Sequence, residues 1–185
     1  MSKKNKEYEI HSQLALPFLE TNQAYLKEVF QILELIFGLE KRSKQRLIDL
    51  GSGDGRVIIY SALNYGIKSV GIEINENLVG EANTNVKSVK EKKGSHRKDL
   101  KQIQILSGDF FQQDLDKYDY IYIFSLPTIH EYLKHVLLTA RIGAIIISHK
   151  YPLNMNFFNS FLKLQYALKH EVENPEISTY FYTKF

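Results

Sequence analysis

The sequence has no cysteine among its 185 residues, which excludes disulfides, thiolate nucleophiles and cysteine-based metal sites. It has no apolar run near the roughly 20 residues that a membrane span needs. The start, Met1-Ser2-Lys3-Lys4-Asn5-Lys6, passes into Glu7 and Tyr8 without the apolar core of a signal peptide. A cytoplasmic protein without membrane insertion is expected. No H-E-x-x-H occurs, and His130 and His135 stand five apart, so no metal site is expected; the six histidines read as surface or packing residues. Charge of one sign is scarce as well. The net charge is only +3, and the excess sits in one stretch, Lys87 to Lys101, which carries seven Lys or Arg against Glu91 and Asp99. That stretch holds no aromatic on which a base could stack, so it reads as a solvated helix end and loop ahead of a nucleic-acid contact.

What remains is ordinary globular material. Hydrophobic residues make up 44% and charged residues 24% of a chain long enough for one α/β domain with a sizeable core, residues 1–185, with 1–10 as a flexible tail.

The organising stretch is Leu47-Ile48-Asp49-Leu50-Gly51-Ser52-Gly53-Asp54-Gly55-Arg56-Val57-Ile58-Ile59-Tyr60. An apolar run ending in an acid, then alternate glycines, then apolar residues at helical spacing predict a strand, a tight turn and a helix start. Glycine permits positive φ and close approach of the main chain to a ligand, while the new helix offers free N–H groups. The loop lacks G-x-x-x-x-G-K-[ST], so it is no P-loop, and it lacks the third glycine of a dinucleotide fingerprint. Instead it carries its own acid, Asp54, which suits a ligand with a cationic end and no pyrophosphate. S-adenosylmethionine, with its ammonium and sulfonium, is such a ligand. Val70-Gly71-Ile72-Glu73-Ile74-Asn75 follows, a strand ending on Glu73 about twenty residues on, where an acid commonly accepts ribose hydroxyls.

Around these markers the pattern alternates. Thr21 could cap a helix carrying Leu26, Val29, Phe30, Leu33, Ile36 and Phe37, with Gly38 as its stop. Pro17-Phe18 before it reads equally as a cover over the ligand mouth and as a plain hydrophobic lead-in. A helix from Arg56 to Tyr65 ends at Gly66. After the strand Ser69 to Ile74, Asn75 caps a helix through about Val89, and Lys90 to Leu100 reads as loop. Strands are expected at Ile103 to Leu106, Tyr118 to Phe124 and Gly143 to Ser148. Thr128 to Glu131 is a capping-box pattern opening a helix, and Phe157, Phe161, Leu164 and Leu168 mark another. Short strands fit Glu171 to Glu173 and Thr179 to Phe185. Strands alternating with helices imply a Rossmann-like, mostly parallel sheet with helices on both faces and a ligand at the strands' C-terminal ends. There, Gly108-Asp109-Phe110-Phe111 could take an adenine amino group on Asp109 and cover the ring with an apolar side chain.

Together these residues resemble a class I S-adenosylmethionine-dependent methyltransferase, and more closely the small archaeal protein-lysine methyltransferases and the ATP synthase c-subunit lysine methyltransferases. The likeness rests on Asp49 to Ile59, Gly71 to Asn75, Gly108 to Phe111 and Ile123-Phe124-Ser125-Leu126-Pro127, with Leu16-Pro17-Phe18 and Ser148-His149-Lys150-Tyr151-Pro152 beside them. It implies that Asp49, Gly51, Gly53 and Asp54, with Ser52, hold the methionine end of the cofactor. Glu73 would take the ribose and Asp109 with Phe110 the adenine, with Asn75 a further expected cofactor-binding residue. It implies further that Ser125 to Pro127 borders a lysine channel and that His149 to Tyr151 lies near it. Phe18, Phe124, Ser125 and Tyr151 are the channel residues so expected. The stretch Lys90 to Leu100 is longer than the family pattern.

Methyl transfer from a sulfonium is an in-line displacement with an activated leaving group, so alignment and desolvation are needed more than a general base. A protein with an accessible lysine is the expected substrate, and a monomer the expected state. Two alternatives stay open. A nucleic-acid methyltransferase would commonly place an Asn or Asp, paired prolines and an aromatic where Ser125-Leu126-Pro127-Thr128 stands. A non-catalytic S-adenosylmethionine-binding protein would keep the same cofactor loops.

Overall fold

The computed structural model describes residues 21–92, 101–170 and 177–185. The Pro17-Phe18 lead-in, residues 93–100 of the basic stretch and the strand expected at Glu171 to Glu173 lie outside them. The elements run α1 (Gln23–Ile36), β1 (Arg46–Leu50), α2 (Arg56–Tyr65), β2 (Lys68–Glu73), α3 (Glu76–Lys92), β3 (Ile103–Ser107), β4 (Tyr120–Ile123), α4 (Lys134–Leu138), β5 (Ile145–His149), α5 (Met155–Phe158), β6 (Leu162–Lys169) and β7 (Ser178–Lys184). Short 3-10 turns cover Phe110–Gln112 and Pro127–Leu133. The strands form one seven-stranded sheet in the order β3-β2-β1-β4-β5-β7-β6, parallel from β3 to β5 and antiparallel for β7 and the edge strand β6.

The strand sequences explain the layers. Side chains alternate across a sheet with period two. Ile48, Leu50, Val70, Ile72, Ile121, Ile123 and Ile146 share one core with the Pro127–Leu133 turn, α4 and α5. Leu47, Tyr120, Tyr122, Ile145, Ile147 and Phe181 share the other with α1 and α2. Asp49 is in phase with Leu47, so the strand-end acid of β1 faces the α1 and α2 layer. Phe181 has no exposed surface, and its truncation to Ala should cost about 3–5 kcal/mol in denaturant unfolding. Among the described residues no helix is long and apolar enough to cross a membrane.

Several elements keep the expected bounds, α2 with Gly66 (φ 65) at its left-handed end above all. Four expectations need correction. The cap of α1 is Asn22, whose side chain accepts from the Ala24 N–H at 2.8 Å, while Thr21 is turned to Tyr122 instead. Helix α3 runs on to Lys92. Thr128 does not cap: Pro127, with its fixed φ, starts the turn one residue earlier behind Leu126, and the turn is 3-10, bringing Ile129, His130 and Leu133 inward. The helix expected across Phe157 to Leu168 is only the single turn α5, followed by strand β6. The apolar residues of that segment satisfy both periods: Leu162, Leu164, Tyr166 and Leu168 also alternate. Ladder pairing with β7 decides for the strand, with a register shift between Leu164 and Tyr166 that breaks the period.

Candidate functional site

The first half of the site grows out of β1. Beyond Leu50 the chain turns through Gly51 (φ 82), Gly53 (φ 51) and Gly55 (φ 79), a region that L side chains reach only at a cost. The Gly51 and Ser52 N–H groups both donate to the Ile72 carbonyl, at 3.0 and 2.9 Å, which ties the loop to the end of β2. Gly71 makes that contact possible. A Cβ there would stand 2.6 Å from Ser52 Oγ and 2.9 Å from Ile58 Cδ1, so a bare β2 lets the loop and α2 settle on it.

Three carboxylates converge on this loop. Glu73 accepts from the Gly53 N–H and from the Asn75 N–H, each at 2.9 Å. Asp54 holds the Arg56 guanidinium in a fork, with Nε to Oδ1 at 2.9 Å and Nη2 to Oδ2 at 2.6 Å, and the same Arg56 donates to the Thr21 carbonyl at 3.2 Å. Asp49 is 3% exposed. Burial first, then Glu73 and Asp54, push its carboxyl well above the ordinary carboxylate range. Among the described residues one arginine stands beside these three acids, a setting that favours a cationic ligand group. Ser52 Oγ is buried with no partner among the described residues, a polar atom available to a ligand.

The loop after β3 closes the same end. The Gly108 N–H donates to the Glu73 carbonyl at 2.9 Å, and Asp109 Oδ1 accepts from the Phe111 N–H at 2.8 Å, starting the 3-10 turn. Phe110 packs on Phe111 with centroids 4.4 Å apart, and its Cε1 lies 3.8 Å from where a Gly51 Cβ would stand. Asn75 caps α3, accepting from the Asn77 N–H at 3.0 Å. The expected methionine-end and adenine residues are thus neighbours, and Glu73 links the glycine loop, Asn75 and Gly108. This set fits S-adenosylmethionine: acids for its cationic end, main-chain groups at close approach, and an apolar ring beside them.

The other half lies at the ends of β4 and β5. Phe124 is half-buried and meets His149 edge to face, with centroids 4.9 Å apart. Tyr151 returns its N–H to the His149 carbonyl at 2.9 Å, and its own carbonyl accepts from Ser148 Oγ at 2.6 Å. Between them Lys150 takes φ 69, rare for a side chain with a Cβ. Ser125 Oγ is buried with no partner among the described residues, and His130 is buried against the Ser125 backbone; burial holds its imidazole below its ordinary value, against a weaker upward pull from that backbone. Phe124 and Tyr151 are therefore joined through His149, whereas Ser125 is grouped with the turn that carries His130.

Sequence reasoning missed Arg56, Tyr122 with its 3.2 Å contact to Thr21, and the buried partners of His149. Only Arg56 had a local signal, an alternation of opposite charge at Asp54 and Arg56.

A sequence model described as the ANTKMT methyltransferase domain matches residues 49–156, more than half of the chain. The chain belongs to that family. It is a methyltransferase of the S-adenosylmethionine-dependent class. This methyltransferase is 28% identical over 141 residues, 75% of its length and 78% of the relative's, to a protein-lysine N-methyltransferase of Saccharolobus islandicus (strain REY15A). It is 29% identical over 144 residues, 78% of its length and 71% of the relative's, to an ATP synthase c-subunit lysine N-methyltransferase of Caenorhabditis elegans. Among solved structures, an RNA methyltransferase from Salinibacter ruber in complex with S-adenosyl-L-homocysteine shares the fold with a TM-score of 0.70 and 24% identity, across 90% of this chain and 94% of that one. The glycopeptide N-methyltransferase MtfA, complexed with S-adenosyl-L-methionine, shares it with a TM-score of 0.66 and 9% identity, across 93% and 98%.

Proposed function

We propose that this methyltransferase transfers methyl groups from S-adenosylmethionine to lysine side-chain amines of proteins. The observation that carries the lysine is that both relatives, matched across about three quarters of the chain, are named lysine N-methyltransferases. In this reading Asp49, Gly51, Ser52, Gly53 and Asp54 hold the methionine end, Glu73 and Asn75 the ribose, and Asp109 and Phe110 the adenine. Bound there, the cofactor supplies an electrophilic methyl group on a sulfonium.

The chain's own residues then have to align and desolvate the acceptor. Phe124, Ser125 and Tyr151 border its approach in this reading. An unperturbed lysine amine has a pKa near 10.4, so at pH 7 only about one in a few thousand is neutral and nucleophilic. Aromatic walls raise that fraction by disfavouring the ammonium. Within the same proposal the enzyme works as a monomer in the cytoplasm.

The test is transfer of label from methyl-labelled S-adenosylmethionine to a cell lysate, followed by protease or nuclease and by amino-acid analysis. Label should be lost to protease and recovered as methyllysine. Label lost to nuclease instead would assign the acceptor to nucleic acid.

A further inference from the structure

His149, which ends β5, starts a hydrogen-bonded chain that methyl transfer as described so far does not use. Its Nδ1 lies 2.7 Å from Thr179 Oγ1 on β7, and the same hydroxyl lies 2.8 Å from His170 Nε2. His170 Nδ1 in turn bonds a carboxylate oxygen of Glu28 on α1. His149, Thr179 and His170 are at most 2% exposed, while the Glu28 side chain is 21% exposed. The chain therefore runs from the interior, beside Phe124, to the rim.

The direction of the bonds is read from the Glu28 end with His170 in its neutral form. An ionised carboxylate only accepts, so His170 donates through Nδ1–H. A neutral His170 then presents a lone pair at Nε2, which takes the Thr179 O–H. The Thr179 oxygen takes the Nδ1–H of His149. This leaves His149 with a lone pair at Nε2, the ring nitrogen opposite the Thr179 bond. Tyr25 of α1, Tyr122 of β4, Phe124 and His170 pack around its ring. Burial, then His170 and the adjoining Lys150, hold the His149 imidazole down to about 3, so it stays neutral.

We propose that His149, Thr179, His170 and Glu28 form a proton exit for the acceptor amine, an inference that rests on the lysine reading. The substrate ammonium gives up one N–H, and that proton bonds to His149 Nε2. The His149 Nδ1 proton passes to Thr179 Oγ1, the Thr179 proton to His170 Nε2, and the His170 Nδ1 proton to Glu28, which releases it to water. The amine is left with its lone pair, and the net charge of the four side chains is unchanged once water has taken the proton. A turn of the Thr179 hydroxyl and tautomer exchange of the two rings restore the starting polarity. No other bond changes, and the methyl transfer itself needs no base. The exit serves a substrate nitrogen that is enclosed by aromatic walls and cut off from bulk water.

Two measurements test this. Ring 15N spectra of the protein without ligand should show His149 and His170 both as neutral Nδ1–H tautomers at pH 7; an Nε2–H tautomer at His149 overturns the polarity and the proposal with it, whatever the substrate. In single-turnover methylation of the lysate protein fraction, Thr179→Val should slow transfer on the order of a hundredfold at pH 7, and by no more than about fourfold near pH 10, where about a quarter of the amine is already neutral. Thr179→Ser should restore the rate, and Glu28→Gln, which can accept the His170 N–H but not a proton, should repeat the defect with cofactor affinity unchanged by calorimetry. Equal slowing at both pH values, or none, overturns the exit while label recovered as methyllysine leaves the lysine reading standing. Wild-type label that is not methyllysine overturns both.

Discussion

The two ends of the site are built differently. At the ends of β1 and β2, main-chain groups and acids hold one another around the unpartnered Ser52 Oγ: Glu73 takes two N–H groups, Asp54 a guanidinium, and the Ile72 carbonyl two more N–H groups. At the ends of β4 and β5 the material is aromatic, and Ser125 Oγ is likewise left without a partner among the described residues. Pre-ordered polar groups suit a constant ligand of fixed charge, since their reorganisation is not repeated at each turnover. A looser aromatic border suits an acceptor that must be stripped of water and of a proton.

The contrast can be broken at its rigid end first. Asp49→Ala, or Gly51→Val at φ 82, should abolish S-adenosylmethionine binding in calorimetry with far-UV circular dichroism nearly unchanged. Next comes the acceptor's proton. If a lysine amine attacks, the single-turnover rate should rise about tenfold per pH unit between about pH 7 and pH 9, because the neutral fraction does; a flat profile would point to an acceptor that is already neutral. Glu73→Ala removes the anchor of the Gly53 N–H and, if Glu73 holds the ribose as proposed, charge-assisted bonds to it, and should weaken cofactor binding at least about tenfold. Ser125→Ala, at the looser end, should slow transfer only a few-fold and leave the cofactor isotherm in place.

The smallest effect concerns stability. The folded Asp49 carboxyl titrates above its unfolded value, so its contribution to stability is complete below the unfolded carboxyl pKa, about 3.9, and is lost as pH rises through the folded one. Asp49→Asn, which stays neutral, should therefore raise the melting temperature of the ligand-free protein at pH 7 to 8, with the gain shrinking as pH falls and gone below about pH 4. A lowered melting temperature at neutral pH would mean that the ionised Asp49 makes favourable contacts that outweigh its burial.

The same contrast decides what the sequence disclosed. The rigid end is local: Asp49 to Arg56 and Gly71 to Asn75 carry their own turn chemistry and period, so their strands, loop and acids could be read directly. The acceptor end is assembled across the chain. His149 meets Thr179 and His170, and His170 meets Glu28, over sequence separations that no short pattern records. The antiparallel corner was misread for a related reason. Leu162 to Lys169 carries both a helical and an alternating apolar pattern, and only the partner strand β7 chooses between them.

That corner also bears on how copies of the chain behave toward one another. Strand β6 is the last in the sheet, and a free edge is a template on which a second chain could pair. Here the edge carries exposed Lys163 and Lys169 and is interrupted by the shift between Leu164 and Tyr166. A second β6 brought alongside would meet like charge and a broken ladder, which discourages edge-to-edge stacking at high concentration. Exchanging both lysines for threonine would remove the repulsion and keep the strand, leaving only the irregular register against aggregation.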